Sequence, residues 1–278
     1  MYRLESAKRF TRRWLNSIPA FVLLGLILGA LISIPVITKP NIATITISGG
    51  ILGQAYADDV SDMLSYARDS KDIKAVVLQI DSPGGAASLT EQIYLDLLRL
   101  RQEKPVVAFI GARGASGGYY VAIASNFIYA EPTSQLGSIG AWLTLPSPEE
   151  LDEDVMTSGP FKATGGSRRK YTGVLETFRQ QFVDAVVSQR GERLKISEEE
   201  LSRGEIYTGT ESLRYGLIDN IGTKTAAIEK AASLAHVRNH GVVELQIQEP
   251  AIWLFTVESL KAQAGTMPIY YYLYFESR

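Results

Sequence analysis

A chain of 278 residues, 46% of them hydrophobic, can bury one sizeable core or a core with a small appendage. Its 28 Lys and Arg nearly cancel its 30 Asp and Glu, so a net charge of -2 provides no field that would gather nucleic acid. With no cysteine, a thiol nucleophile, a thiolate zinc site and a disulfide framework are excluded together.

Between Arg13 and Lys39 lies an uncharged stretch of roughly 25 residues, long enough to cross a hydrocarbon core of about 30 Å as a helix. Arg3, Lys8, Arg9, Arg12 and Arg13 crowd its N-terminal side, which places the cytoplasm there and everything after Thr38 outside. The stretch exceeds a usual signal-peptide core and no A-x-A-like site follows it, which favours an anchor over a cleaved leader. The expected organisation is a cytoplasmic N-terminus over 1–16, a transmembrane helix over 17–38, a globular domain over 39–240 and an extension over 241–278.

In that domain Ala43 to Ile47 has the β-branched, apolar character of a strand, and Ala55 to Arg68 reads as a helix. Lys74 to Ile80 is a continuous apolar run suited to a strand buried on both faces, ending in the turn Asp81-Ser82-Pro83-Gly84-Gly85. Leu89 to Leu100 is amphipathic at helical spacing and leads into a strand at Pro105 to Ile110. Strand, helix, strand, helix, strand is the grammar of right-handed βαβ units, so the expectation is an α/β fold with a largely parallel sheet.

Next come a glycine-rich turn entering a helix around Gly114 to Gly118, a strand at Phe127 to Glu131 and a tight turn at Gly137 to Gly140. Pro146 to Asp154 is a proline- and acid-rich loop. Val174 to Val187 is an amphipathic helix with Leu175, Phe178, Phe182, Val183 and Val186 on its apolar side. The aromatic tail from Met267 fits either a packing strand or a partner-facing segment.

Ser116 stands between Gly114-Ala115 and Gly117-Gly118, where small neighbours permit close approach and an accessible hydroxyl is expected. If a helix starts there, its free amides favour negative charge beside that hydroxyl. Gly117 offers one amide donor and a glycine of the Asp81–Gly85 turn a second, opposite it.

A serine needs a base, usually histidine. The two histidines, His236 and His240, lie in a helical-looking stretch far along the chain, and Val237 stands where a metalloprotease helix carries glutamate. No metal or cofactor is expected. Lysine remains, and it acts as a base only where burial or nearby positive charge leaves the amine neutral. Lys162 lies among small and apolar residues, whereas Lys170 follows Arg168 and Arg169; Lys162 is the better candidate.

These motifs resemble those of the SppA-type signal peptide peptidases, membrane-bound Ser/Lys endopeptidases of the Clp protease and crotonase superfold. The resemblance rests on IDSPGG ending at Gly85, GASGGYYVA from Gly114, GSIG from Gly137, SGPFK ending at Lys162, and YTG with GLID between Tyr207 and Asp219. It implies a Clp protease/crotonase-like fold in which Ser116 is the nucleophile, Lys162 its general base, Ser138 a hydroxyl orienting the lysine, and Gly85 with Gly117 the oxyanion donors. It also implies a homo-oligomer whose sites lie at protomer contacts, with serine and lysine from neighbouring protomers. The implied substrates are cleaved signal peptides and other membrane-associated segments outside the cytoplasm.

The connection from Gly140 to Lys162 is shorter than the family's and carries Glu149, Glu150, Asp152, Glu153 and Asp154 instead of a Leu-rich helix. Two rival readings share the fold: a crotonase-like acyl-CoA enzyme, and a membrane scaffold without hydrolysis.

Overall fold

The computed structural model describes residues 19, 21–29, 40–145, 158–162, 164–246 and 270–273. The chain divides into two units, Met1–Lys39 and Pro40–Arg278. In the first, residues 21–29 are helical and Phe21, Val22, Leu23 and Leu24 are each more than half exposed. Among the described residues no helix is long and apolar enough to cross a membrane. Most of the expected span over 17–38, the basic N-terminus and the acidic loop at 149–154 lie outside the described residues.

The second unit is built on an eight-stranded sheet in the order β10-β1-β2-β4-β5-β9, with β6 on β4 and β8 on β6. Its strands are β1 (Asn41–Ser48), β2 (Ile73–Ser82), β4 (Val106–Ala115), β5 (Phe127–Ala130), β6 (Gln135–Gly137), β8 (Ile206–Thr208), β9 (Asn220–Ile221) and β10 (Gly241–Leu245). Every pairing is parallel except β6 with β8. A smaller antiparallel sheet holds β3 (Gly84–Ala86), β11 (Tyr270–Leu273) and β7 (Trp142–Leu143), with β11 in the middle.

Helices cover both faces, and the strand residues divide between them with period two. Ala43, Ile45 and Ile47 of β1, Val76, Leu78 and Ile80 of β2, and Val106, Ala108 and Ile110 of β4 face the larger core. That core is closed by α1 (Gln54–Asp69), α2 (Ala87–Glu103), α3 (Gly117–Ala122) and α4 (Arg168–Arg190). Ile42, Ala75, Val77, Val107 and Phe109 face the opposite side, against Ala227, Ala231 and Ala232 of α7 (Lys224–Leu234). Two short helices, α5 (Glu198–Leu201) and α6 (Gly209–Arg214), flank β8.

The expected strands and helices up to Phe127–Glu131 are present, several of them longer than periodicity implied. The Asp81–Gly85 segment is more than a turn: β2 runs to Ser82 and β3 starts at Gly84, because Ile51 donates to the Gly84 carbonyl (2.9 Å) and accepts from Ala86 (2.8 Å). Likewise β4 continues through Gly111 to Ala115, since Gly114 pairs with both Ser82 and Leu136.

Helix α4 begins at Arg168 rather than Val174, capped by the Ser167 hydroxyl accepting from the Lys170 amide (3.2 Å). The histidine stretch is not helical. Helix α7 stops at Leu234, His236 takes φ 57°, and His240 immediately precedes β10.

One buried ion pair ties α4 to the sheet. Arg190 donates to both carboxylate oxygens of Asp219 (2.8 and 3.0 Å), and Asp219 also accepts from the Ile128 amide of β5 (2.7 Å). The two side chains are 1% and 7% exposed, so removing one strands the other away from water. Asp219→Ala is expected to lower stability by about 3–5 kcal/mol, read from the urea midpoint. Arg179→Ala, which breaks the exposed pair with Glu176, is expected to leave that midpoint unchanged.

Candidate active site

Strands β4 and β6 run in register, Arg113 with Gln135, Gly114 with Leu136 and Ala115 with Gly137. One residue further, both strands end, and Ser116 and Ser138 leave them side by side with φ of 50° and 53°. Such backbone in a non-glycine residue costs on the order of 1–3 kcal/mol and persists only where neighbours hold it. Here the Ser116 amide donates to the Gly137 carbonyl (2.7 Å) and the Ser138 amide to the Glu205 carbonyl (2.8 Å).

Ser116 is the N-cap of α3, a helix of six residues. So short a helix offers the free amides of its first turn more than a long dipole. The Tyr120 amide returns to the Ser116 carbonyl (2.9 Å), and the Gly117 amide, at the first helical position, has no acceptor within the helix. The helix is anchored from behind by aromatic rings: Tyr120 lies 4.6 Å from Tyr94 and 4.8 Å from Phe182 between centroids. Burial pushes the phenols of Tyr119 and Tyr120 well above the usual tyrosine range. Tyr119 therefore stays a neutral donor, to the Leu217 carbonyl (2.7 Å).

Gly118 lets the Ser82–Ala86 segment lie against this turn, and Gly85 lets Ile51 pack on that segment from its other side. A Cβ at Gly118 would lie 2.6 Å from the Ser82 carbonyl, and one at Gly85 would lie 2.0 Å from the Ile51 carbonyl. Only glycine permits these approaches. Ser82 stiffens the segment, donating to the Gly49 carbonyl (2.6 Å) and accepting from the Gly84 amide (3.1 Å). Because the Gly84 carbonyl and Ala86 amide are spent on Ile51, the Gly85 amide and carbonyl point the opposite way, toward β11.

The fold thus gathers Ser116, Ser138, Gly117 and Gly85 at the ends of β2, β4 and β6. Ser116 is only 1% exposed, not the open hydroxyl its small neighbours suggested, because the residue sits at a sheet end closed from several sides. Lys162 is not part of the cluster within this chain. It is exposed in a turn whose amide donates to Gly159 (3.1 Å), and among the described residues its ammonium has no hydrogen bond or ion pair. Lys170 is also exposed, in the first turn of α4, where it donates to the Gly165 carbonyl (3.4 Å).

Sequence reasoning missed Ser82 as the brace of the glycine turn. Its place between Asp81 and Pro83, where a short hydroxyl can bond the backbone two residues on, was the available sign. Among the described residues no group of three or more His, Cys, Asp or Glu side chains is placed to hold a metal ion.

The sequence profile described as Peptidase family S49 matches residues 99–238. Protease 4 of Haemophilus influenzae is 28% identical over 226 residues, covering 74% of this chain and 37% of its own length. This chain therefore corresponds to well under half of that relative. A relative from Synechocystis is 30% identical over 226 residues, covering 77% of this chain and 81% of itself. A membrane-bound stomatin-specific protease, solved as a lysine-to-alanine variant with a substrate peptide, superposes with a TM-score of 0.52 at 17% identity. The alignment covers 76% of this chain and 94% of that one, and establishes that the two share an α/β fold. With the family profile spanning half the chain and a relative matched over most of its length, this chain belongs to peptidase family S49 and carries a serine-peptidase domain of that family.

Proposed function

We propose that the protein is a membrane-anchored Ser/Lys endopeptidase acting outside the cytoplasm, with Ser116 as nucleophile and Lys162 as base. The observation that carries this reading is the common exit of Ser116 and Ser138 from paired strands, beside two inward-packed glycine turns.

In the reaction, the Ser116 hydroxyl attacks a peptide carbonyl carbon while its proton passes to the neutral Lys162 amine. The carbonyl oxygen becomes an oxyanion held by the Gly117 and Gly85 amides. Collapse of that intermediate breaks the C–N bond, and the lysine ammonium returns the proton to the leaving amine. Water then attacks the acyl-serine by the same route in reverse. Ser138, beside the nucleophile, orients the amine.

The exposed Lys162 of a single chain cannot be this base without a second surface to desolvate it. We therefore assign completion of the site to a neighbouring copy, so that Ser116 of one protomer meets Lys162 of the next. The apolar N-terminal stretch and its basic flank support the anchor and the outside location. Membrane-associated segments, cleaved signal peptides among them, are the substrates that this position would present. Membership of a peptidase family weighs against acyl-CoA chemistry.

Ser116→Ala is expected to lower kcat/KM on peptides by about four orders of magnitude or more, measured by mass-spectrometric digestion assays. Full activity in that variant would remove the nucleophile assignment, and an inactive wild type would leave the scaffold reading. Lys162→Ala should cost about 10²–10⁴-fold while Lys170→Ala leaves the rate unchanged; the reverse pattern would move the base. Co-expressing Ser116→Ala with Lys162→Ala should restore cleavage that neither variant shows alone. No recovery in co-assembled protein would place both groups in one protomer.

A further inference from the structure

The row of residues just beyond the sheet end does not stop at the two serines. Strand β8 runs antiparallel to β6 with Gly137 opposite Ile206, so Ser138 and Glu205 face each other next, joined by the bond from the Ser138 amide (2.8 Å). Ser116, Ser138 and Glu205 therefore stand at the ends of three neighbouring strands, with Glu205 two strand spacings, about 10 Å, from the nucleophile backbone to backbone. The peptidase reading uses only the Glu205 carbonyl. The carboxylate is exposed and, among the described residues, has no hydrogen bond or ion pair, even with Arg203 two residues earlier. Burial, and after it this carboxylate, raise the Tyr207 phenol above the usual tyrosine range, so the charge is felt at the sheet end.

The element that carries Lys162 has the opposite charge. Between Ser158 and Leu175 there are four cations, Lys162, Arg168, Arg169 and Lys170, and no carboxylate. The turn and the start of α4 form one body: the Gly165 amide donates to the Phe161 carbonyl (2.7 Å), the Tyr171 hydroxyl to the Thr164 carbonyl, and the Lys170 ammonium to the Gly165 carbonyl (3.4 Å). A surface that receives Lys162 must therefore receive Arg168 and Arg169 with it. Both are exposed, and their guanidinium groups have no acceptor among the described residues. They also break a local rule, since cations in a first turn oppose the helix dipole. The same domain keeps that rule elsewhere, with Glu198, Glu199 and Glu200 in the first turn of α5 and Glu211 in that of α6. Violations of this kind are expected where the residues serve a contact.

We propose that Glu205 of one copy of this chain pairs with the guanidinium groups of Arg168 and Arg169 of the next, fixing the contact that carries Lys162 to Ser116. The inference rests on the split site of the proposed function and adds the residues that steer its two halves together. Guanidinium suits the task because it meets a carboxylate through two parallel hydrogen bonds and so sets orientation as well as attraction. The pair also protects the base. A bare carboxylate beside Ser138 would favour the charged form of an arriving lysine, whereas one neutralised by arginine leaves the amine free of its proton.

The test uses the full chain in detergent with two charge reversals, Glu205→Arg and the double change of Arg168→Glu with Arg169→Glu. Each alone sets like charges against each other. The concentration for half-assembly, read by sedimentation or mass photometry, should rise at least about tenfold, with peptide cleavage falling in step. Glu205→Gln, which only removes the charge, should raise it less. Mixed one to one, the two reversed chains should regain most of the wild-type assembly and cleavage, because an alternating array puts opposite charges at every contact. Recovery in the mixture would also show that neither chain is misfolded. Unchanged assembly in both reversals, or no recovery on mixing, would overturn the proposal. So would normal assembly of Glu205→Arg with an altered cleavage preference for peptides carrying Lys or Arg, because the carboxylate would then read substrate. If assembly responds as expected and no form cleaves peptide, the contact stands and the peptidase reading falls instead.

Discussion

The site depends on the parallel register of β4 against β6. Backbone hydrogen bonds lock Arg113, Gly114 and Ala115 level with Gln135, Leu136 and Gly137, so the two strands run out together. The next residue of each is a serine forced to positive φ, and the first of them opens α3. A one-residue slip would separate the two hydroxyls and turn every side chain of the short β6 to the opposite face. The strain at these serines is offset by what surrounds them: the Gly137 and Glu205 carbonyls that take their amides, and the aromatic stack of Tyr94, Tyr120 and Phe182 behind the helix.

In the proposed reading a single chain holds only the serine half of the centre. Acid–base chemistry by lysine needs a dry amine within hydrogen-bond reach of the serine, whereas Lys162 is exposed and its ammonium has no hydrogen bond or ion pair among the described residues. The serine half, in contrast, is already enclosed. In the proposed mechanism, with amides and nucleophile on one surface and the base arriving from another, assembly would be a condition for activity.

The largely parallel α/β sheet was legible because its central strands are buried on both faces and read as unbroken apolar runs between amphipathic helices. Ala43–Ile47, Lys74–Ile80 and Pro105–Ile110 carry that pattern plainly. Ser116 was legible for a local reason, the small residues that let Gly118 press on the Ser82 backbone. What escaped depends on partners distant in sequence. Strand β3 exists because Ile51 and β11 bond its two edges, and three glycine and alanine residues carry no periodicity of their own. The start of α4 rests on one capping hydroxyl ahead of a polar turn, and the burial of Ser116 is a property of the packed sheet end that no local pattern records.

The central claim is that the strained serine at the end of β4 is the nucleophile. It is tested most directly by treating the assembled protein with a serine-directed fluorophosphonate and locating the adduct by peptide mass spectrometry. The account predicts a single stoichiometric adduct on Ser116, with peptide cleavage lost as it forms. An adduct on another serine of an active assembly, or full inhibition with Ser116 unmodified, would contradict it.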